Sequence, residues 1–328
     1  MERNILVTGG AGYIGSLLVG LLLKNNDRVT VLDNLTYGGE SLLNYWHHPN
    51  FTFIKGDVTN PATAKSLLLD KDVDTLVHLA AIVGDPACAK QPDLARKINW
   101  EASLALLEQS IKNGVKRFVF ASTCSNYGKM SDPDSYVDEN SVLAPVSLYA
   151  ELKVKIENVI LHEIEKNDSF CPTSLRFSTV YGLSPRMRFD LTVNEFAKEL
   201  VLGRGLKVFG EQFWRPYCHV YDIARAIDLV LNSEKEKVAY NVFNVGDTGE
   251  NYQKQMIVEA IMKFIPDAEV KYVLKSEDPR DYRVSFQKIQ KELGFHITKV
   301  VPDGIIEIIH AIKDGLIKNP DDRKYFNV

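Results

Sequence analysis

The sequence predicts an α/β fold: a doubly wound parallel sheet, joined to a smaller α+β region. Three features carry this. Near-continuous apolar, β-branched runs recur through the first half, helix-length segments separate them, and a glycine-rich turn joins the first run to the segment after it. Strands apolar at almost every position belong to sheets covered on both faces, as parallel sheets are. Strand and helix alternating this regularly build a doubly wound sheet.

The predicted strands are 4–8 (NILVT), 28–32 (RVTVL), 51–55 (FTFIK), 75–80 (TLVHLA), 117–122 (RFVFAS) and 173–177 (TSLRF). Between them, helix patterns occupy 13–25, 61–69, 92–113 and 148–166. These elements define a cofactor domain over 1–178, with a return strand near 240–246. Residues 179–328 lose the regularity and form the expected substrate-binding region. There "GLSPRMRFD" reads as a loop, 191–203, 251–265 and 301–317 as helices, and "LKVFG" as a strand. Such a region caps the carboxyl edge of the sheet, where ligands of open α/β sheets bind.

Composition excludes several classes. The 328 residues can bury a large core, and the net charge of −4 includes no basic run, so the expected ligand is small and is not a nucleic acid. Four cysteines without a CxxC pair and seven histidines without HExxH predict reduced thiols and no metal. The apolar start is broken by "GGAGYIG", so it reads as strand, turn and helix rather than a leader. No apolar stretch reaches the ~18 residues of a membrane span. A soluble cytoplasmic protein is expected.

In "VTGGAGYIG", Gly9, Gly12 and Gly15 sit where the first strand enters its helix. Without Cβ atoms the backbone N–H groups there, those of Tyr13 and Ile14 among them, can approach a pyrophosphate, and the helix start favours its charge. The next strand ends in Asp33, placed to accept hydrogen bonds from a ribose diol. A 2′-phosphate at that carboxylate would meet a repulsion of about 4 kcal/mol at an intermediate dielectric. The neighbouring Asn34 and Leu35 bring no cation. The dinucleotide is therefore expected to be NAD.

"YAELK" stacks Tyr149 and Lys153 on one helix face, four residues apart. A phenol with an ordinary pKa of about 10 becomes a base near neutrality only after a depression of roughly 3 units, or about 4 kcal/mol. A nearby ammonium is expected to supply much of that, with the oxidised nicotinamide adding to it.

With the glycine turn, Asp33 and a hydroxyl at a preceding strand end, this pair resembles the extended short-chain dehydrogenase/reductase family, in particular its nucleotide-sugar epimerases and dehydratases. Their cofactor domain is of the Rossmann type. The resemblance runs through the chain. It implies that Asn34 joins the cofactor site, that Asp57 and Val58 of "GDVTN" bracket the adenine, that Leu79, Ala80 and Ala81 of "HLAA" line the cofactor, and that Asn99 of "KINW" supports it. It also implies that Arg215 of "FWRPYCHVYD" and Arg280 of "DPRDYRVSF" reach the substrate, and that helices near 92–113 and 148–166 pair in a homodimer.

In "STCSNYG" (122–128) the family pattern makes Thr123 the catalytic hydroxyl and places Ser125 and Asn126 beside the substrate. The dehydratases carry an acid pair at the next two positions, which here are Cys124 and Ser125, so elimination lacks its acid and base. Cys124 reads as a packing residue, as buried cysteines do. Thr179 stands where many relatives have an asparagine that contacts the diphosphate. Arg186 and Arg188 suit a phosphate or a base pocket and equally suit solvent; Arg186 is taken as the substrate candidate.

The implied activity is NAD-dependent oxidation at C4 of a nucleotide-diphosphate sugar. Hydride return to the other face would make a 4-epimerase, and release of the keto-sugar a 4-dehydrogenase. "AAIVGDPACAKQP" and "STCSNYG" resemble enzymes of surface-polysaccharide gene clusters, including those handling GDP-linked mannose or heptose, which favours the second outcome. A 4-keto-sugar reductase runs the reverse reaction. A non-catalytic NAD-binding module is the reading from a different class.

Overall fold

A computed structural model describes residues 3–70, 72–130, 135–273 and 280–327. The strands are β1 (Asn4–Thr8), β2 (Arg28–Asp33), β3 (Phe51–Lys55), β4 (Thr75–His78), β5 (Arg117–Thr123), β6 (Cys171–Phe177), β7 (Thr179–Tyr181), β8 (Leu206–Phe209), β9 (Trp214–His219), β10 (Asn241–Val245), β11 (Asn251–Gln253) and β12 (Val270–Val273). The helices are α1 (Gly15–Lys24), α2 (Pro61–Asp70), α3 (Asp85–Lys90), α4 (Pro92–Arg96), α5 (Ser103–Lys112), α6 (Leu148–Asn158), α7 (Thr192–Val201), α8 (Val220–Asn232), α9 (Lys235–Val238), α10 (Lys254–Met262), α11 (Gln287–Leu293) and α12 (Val301–Lys313).

Seven strands form the main sheet in the order β10-β6-β5-β4-β1-β2-β3. Every pair in it is parallel. Alternate residues feed opposite faces, so Ile5 and Val7 of β1 pack with α1 and α8 residues such as Leu18 and Ile227. Leu6 packs on the other face with Leu106 and Ile156. Each such buried side chain contributes about 1.5–3 kcal/mol. The order reverses at β1, between β4 and β2, and that switch opens a crevice at the strands' carboxyl ends.

Two smaller sheets, β11-β9-β7 and β12-β8, stand beside it, and a second apolar cluster joins α7, α10 and α12. Here the sequence reading needs correction. β9 carries Pro216, a residue that argues against a central strand, yet it sits between its two partners. The predicted helix at 251–265 begins as β11, and α8 was not foreseen. The predicted helix at 92–113 contains a π-helical turn at Lys97–Ala102, a widening common at functional sites. Among the described residues no helix is long and apolar enough to cross a membrane.

Candidate active site

At the carboxyl edge lies a cavity of about 370 Å³, within the size range of small-ligand sites. One end is the glycine turn. Gly9 has φ +74°, which disfavours other residues, and a Cβ there would lie 2.7 Å from the Ala80 nitrogen. At Gly15 a Cβ would fall 2.3 Å from the Gly9 carbonyl oxygen. The chain needs bare backbone at both places for the turn to close, and this leaves Gly12, Tyr13 and Ile14 lining the cavity.

Asp33, at the end of β2, is held by two backbone donors, Ala11 N–H to Oδ2 at 3.0 Å and Leu35 N–H to Oδ1 at 2.8 Å. Burial raises its pKa, and those two bonds oppose the rise. Asn34 Nδ2 donates to Asp57 Oδ2 at 3.1 Å, tying the β2 and β3 ends together. Val58, Leu79, Ala80 and Ala81 complete this side of the cavity.

The other end is built by α6 and the end of β5. Ser147 caps α6, its Oγ accepting from Ala150 N–H at 3.3 Å and donating to Asp85 Oδ1 at 2.7 Å. The cap sets Tyr149 in the first turn and Lys153 one turn later. Lys153 Nζ donates to the Ala121 carbonyl at 2.7 Å and lies 5.9 Å from the centre of the Tyr149 ring. Burial pushes its ammonium down to about 8. Thr123 Oγ1 accepts from Ser125 N–H at 3.1 Å and lines the same end of the cavity as Tyr149.

Burial also pushes the Tyr149 phenol well above its ordinary pKa, opposed by the charge of Arg188. Lys153 Nζ has one bond, to a carbonyl, and Arg188, whose charge opposes the rise, is itself clamped by Asp190 at 3.1 and 2.6 Å.

Ser125, Thr179, Arg186 and Arg280 line the same cavity, Arg280 with an ion pair to Asp85 at 2.6 Å. Asp278 and Pro279 of the quoted "DPRDYRVSF" lie outside the described residues. Three candidates do not line the cavity. Asn99 is buried and grips Ile82 by both backbone groups, accepting from its N–H at 2.9 Å and donating to its carbonyl at 2.8 Å, so it shapes the wall at one remove. Asn126 is buried with Nδ2 on Ser122 Oγ at 3.1 Å. Arg215 Nη1 donates to the Trp214 carbonyl at 2.6 Å and its guanidinium lies over the Tyr282 ring. Cys124 is buried with Sγ 3.3 Å from the Arg176 carbonyl, and burial raises its thiol well beyond use as a base.

Sequence reading missed Tyr37, Ile82, Leu191 and Asn327 in the cavity wall. Tyr37 had a usable signal, its place in the loop that follows Asp33. Asn327 had none, because only the fold brings the end of the chain here.

A doubly wound sheet with a dinucleotide cradle and a tyrosine, lysine and threonine at its far end defines an extended short-chain dehydrogenase/reductase. A sequence profile described as the NAD dependent epimerase/dehydratase family matches residues 5–246, and the chain belongs to that family. It is 30% identical over 322 residues to the UDP-glucuronate 4-epimerase of Thermodesulfobacterium geofontis, covering 95% of this chain and 96% of that one. Its fold matches the UDP-glucose 4-epimerase of Thermotoga maritima solved with UDP-glucose, with TM-score 0.85, 28% identity, and 96% and 100% of the two chains covered. It also matches the dTDP-glucose 4,6-dehydratase of Streptomyces venezuelae solved with NAD, with TM-score 0.83, 26% identity and 99% of each chain covered.

Proposed function

We propose that this chain oxidises C4 of a nucleotide-diphosphate sugar with NAD as the hydride acceptor. One observation carries the reading: Tyr149, Thr123 and Lys153 meet in the cavity that also holds the glycine cradle and Asp33. The bare backbone at Gly9 and Gly15 and the carboxylate of Asp33 fit a dinucleotide. When bound, NAD takes up or returns hydride and brings a positive ring to the site.

Tyr149 takes the proton of the C4 hydroxyl. Thr123, which lines the cavity with Tyr149, orients that hydroxyl and supports the oxygen as charge develops. Lys153 holds positive charge beneath the phenol from its anchor on Ala121. The buried Cys124 and the hydroxyl of Ser125 offer no acid and base pair for loss of water, which favours simple redox at C4 over dehydration. Return of hydride to the opposite face gives a 4-epimerase, the activity that the names of the epimerase relatives support. Release of the keto-sugar gives a 4-dehydrogenase, for which the resemblance to surface-polysaccharide enzymes makes GDP-heptose a candidate. A homodimer packed through the α4–α5 and α6 faces belongs to the same proposal.

The test is incubation with UDP-glucose, UDP-glucuronate, and GDP-, dTDP- and CDP-sugars, with NMR for a C4-inverted product and absorbance for NADH. Product or NADH is expected with at least one, and Tyr149→Phe is expected to lower turnover ~10²–10⁴-fold while nucleotide stays bound. Absence of both signals with all five classes refutes the reading, and full activity in Tyr149→Phe refutes the base assignment.

A further inference from the structure

Among the described residues four cations line the cavity, and three of them have anionic or carbonyl partners. Lys153 is on Ala121, Arg188 on Asp190 and Arg280 on Asp85. Arg186 differs. It is 6% exposed, its guanidinium lies 4.2 Å over the Tyr37 ring, and its Nε and Nη2 meet no hydrogen-bond acceptor among the described residues.

Leaving buried guanidinium N–H groups unmet is costly, and native chains tolerate it chiefly where another molecule completes the bonding. The location says which molecule. Tyr37 belongs to the loop that follows Asp33, and the charge of Arg186 is felt by the Asp33 carboxylate and the Tyr13 phenol. The loop carrying Arg186 is pinned to the glycine turn rather than to the α6 end: Ser184 Oγ donates to the Tyr13 carbonyl at 2.6 Å and Tyr13 O–H donates to the Gly182 carbonyl at 2.6 Å.

We propose that Arg186 is a cofactor residue, its two open nitrogens, Nε and Nη2, and the Tyr37 ring forming a socket for a phosphate of the dinucleotide, and not the substrate contact that the sequence suggests. A planar guanidinium stacked on an aromatic ring presents its donors in a fixed plane, the geometry that suits phosphate oxygens. Two phosphates are within the same chemistry. One is the diphosphate over the glycine turn. The other is a 2′-phosphate beside Asp33, whose repulsion by that carboxylate Arg186 would offset.

The inference rests on the dinucleotide reading of the cavity, and its test needs no turnover, so it can fail while C4 chemistry stands, or hold while that chemistry fails. Affinities for NAD, NADP and UDP-glucose are measured by competition titration on wild type, Arg186→Met and Arg186→Lys. Arg186→Met is expected to weaken a dinucleotide about tenfold or more, with Arg186→Lys recovering part of the loss. Equal weakening of NAD and NADP assigns the diphosphate, and weakening of NADP alone assigns the 2′-phosphate. The melting temperature of Arg186→Met without added nucleotide is expected to hold, while its rise on adding the weakened dinucleotide shrinks. Dinucleotide affinities within twofold of wild type in Arg186→Met overturn the proposal, whatever happens to UDP-glucose.

Discussion

Lys153 is the buried charge whose removal tells most about this site. Its side chain lies between α6 and β5 at the cavity, 3% exposed, with one hydrogen bond to Ala121 and the Phe120 ring 4.7 Å away. Burial lowers its pKa from 10.5 to about 8, so at neutral pH the fold carries a charged group that its surroundings disfavour. At about 1.4 kcal/mol per pH unit, that gap amounts to about 3 kcal/mol. Lys153→Met keeps the volume and removes the charge, and the unpaired Ala121 carbonyl takes back about 1 kcal/mol. The variant should therefore exceed wild type by about 2 kcal/mol at pH 7, while losing activity. The sign of the pH dependence follows from proton counts. Between about pH 8 and 10.5 the unfolded wild type holds this proton and the folded form does not, so wild-type stability rises with pH and the advantage of Lys153→Met narrows. Urea denaturation of both proteins at pH 7, 8.5 and 10 reads the difference. A variant less stable than wild type at pH 7, or a gap that stays constant to pH 10, would refute the burial argument.

Behind the strand ends, Arg176 and Glu157 form a buried pair, 4% and 1% exposed in their side chains, with Ser122 Oγ donating to Glu157 at 2.9 Å. Glu157→Gln leaves the guanidinium charge uncompensated, and equilibrium denaturation should show a loss of about 3–5 kcal/mol; a loss under 1 kcal/mol would mean the pair is not dry. Burial acts to raise the Glu307 pKa, but His219 at 2.9 Å and Lys299 at 3.1 Å outweigh it and hold the carboxyl near 2. Because its folded pKa is depressed, Glu307 stabilises above its unfolded value of about 4.3 and that contribution disappears as pH falls toward 2. Glu307→Gln should be about 2 kcal/mol less stable at pH 6, after discounting for partial exposure, and the deficit should vanish near pH 2 in denaturation curves taken across that range.

The parallel sheet was legible because its strands are apolar at almost every position: β4 and β6 are buried at each residue. The cofactor end was legible because the requirement is local. A turn that brings Gly15 against the Gly9 carbonyl excludes side chains within a few residues of sequence, and Asp33 follows directly from where β2 stops. The Tyr149 and Lys153 pair needs only a helix repeat. Short strands in the second half were not legible, because β7, β9 and β11 have no periodicity of their own and exist through pairing with one another.

By itself, then, the order of residues determined the doubly wound sheet, the family and the dinucleotide cradle, since each is written in neighbouring residues whose backbone demands are short-range. Which cations remain available at the cavity was decided only by tertiary structure. Arg188 and Arg280 are claimed by Asp190 and Asp85, whereas Arg186 is stacked on Tyr37 with donors open. Burial and charge pairing depend on groups that are distant in sequence and come together only when the chain folds.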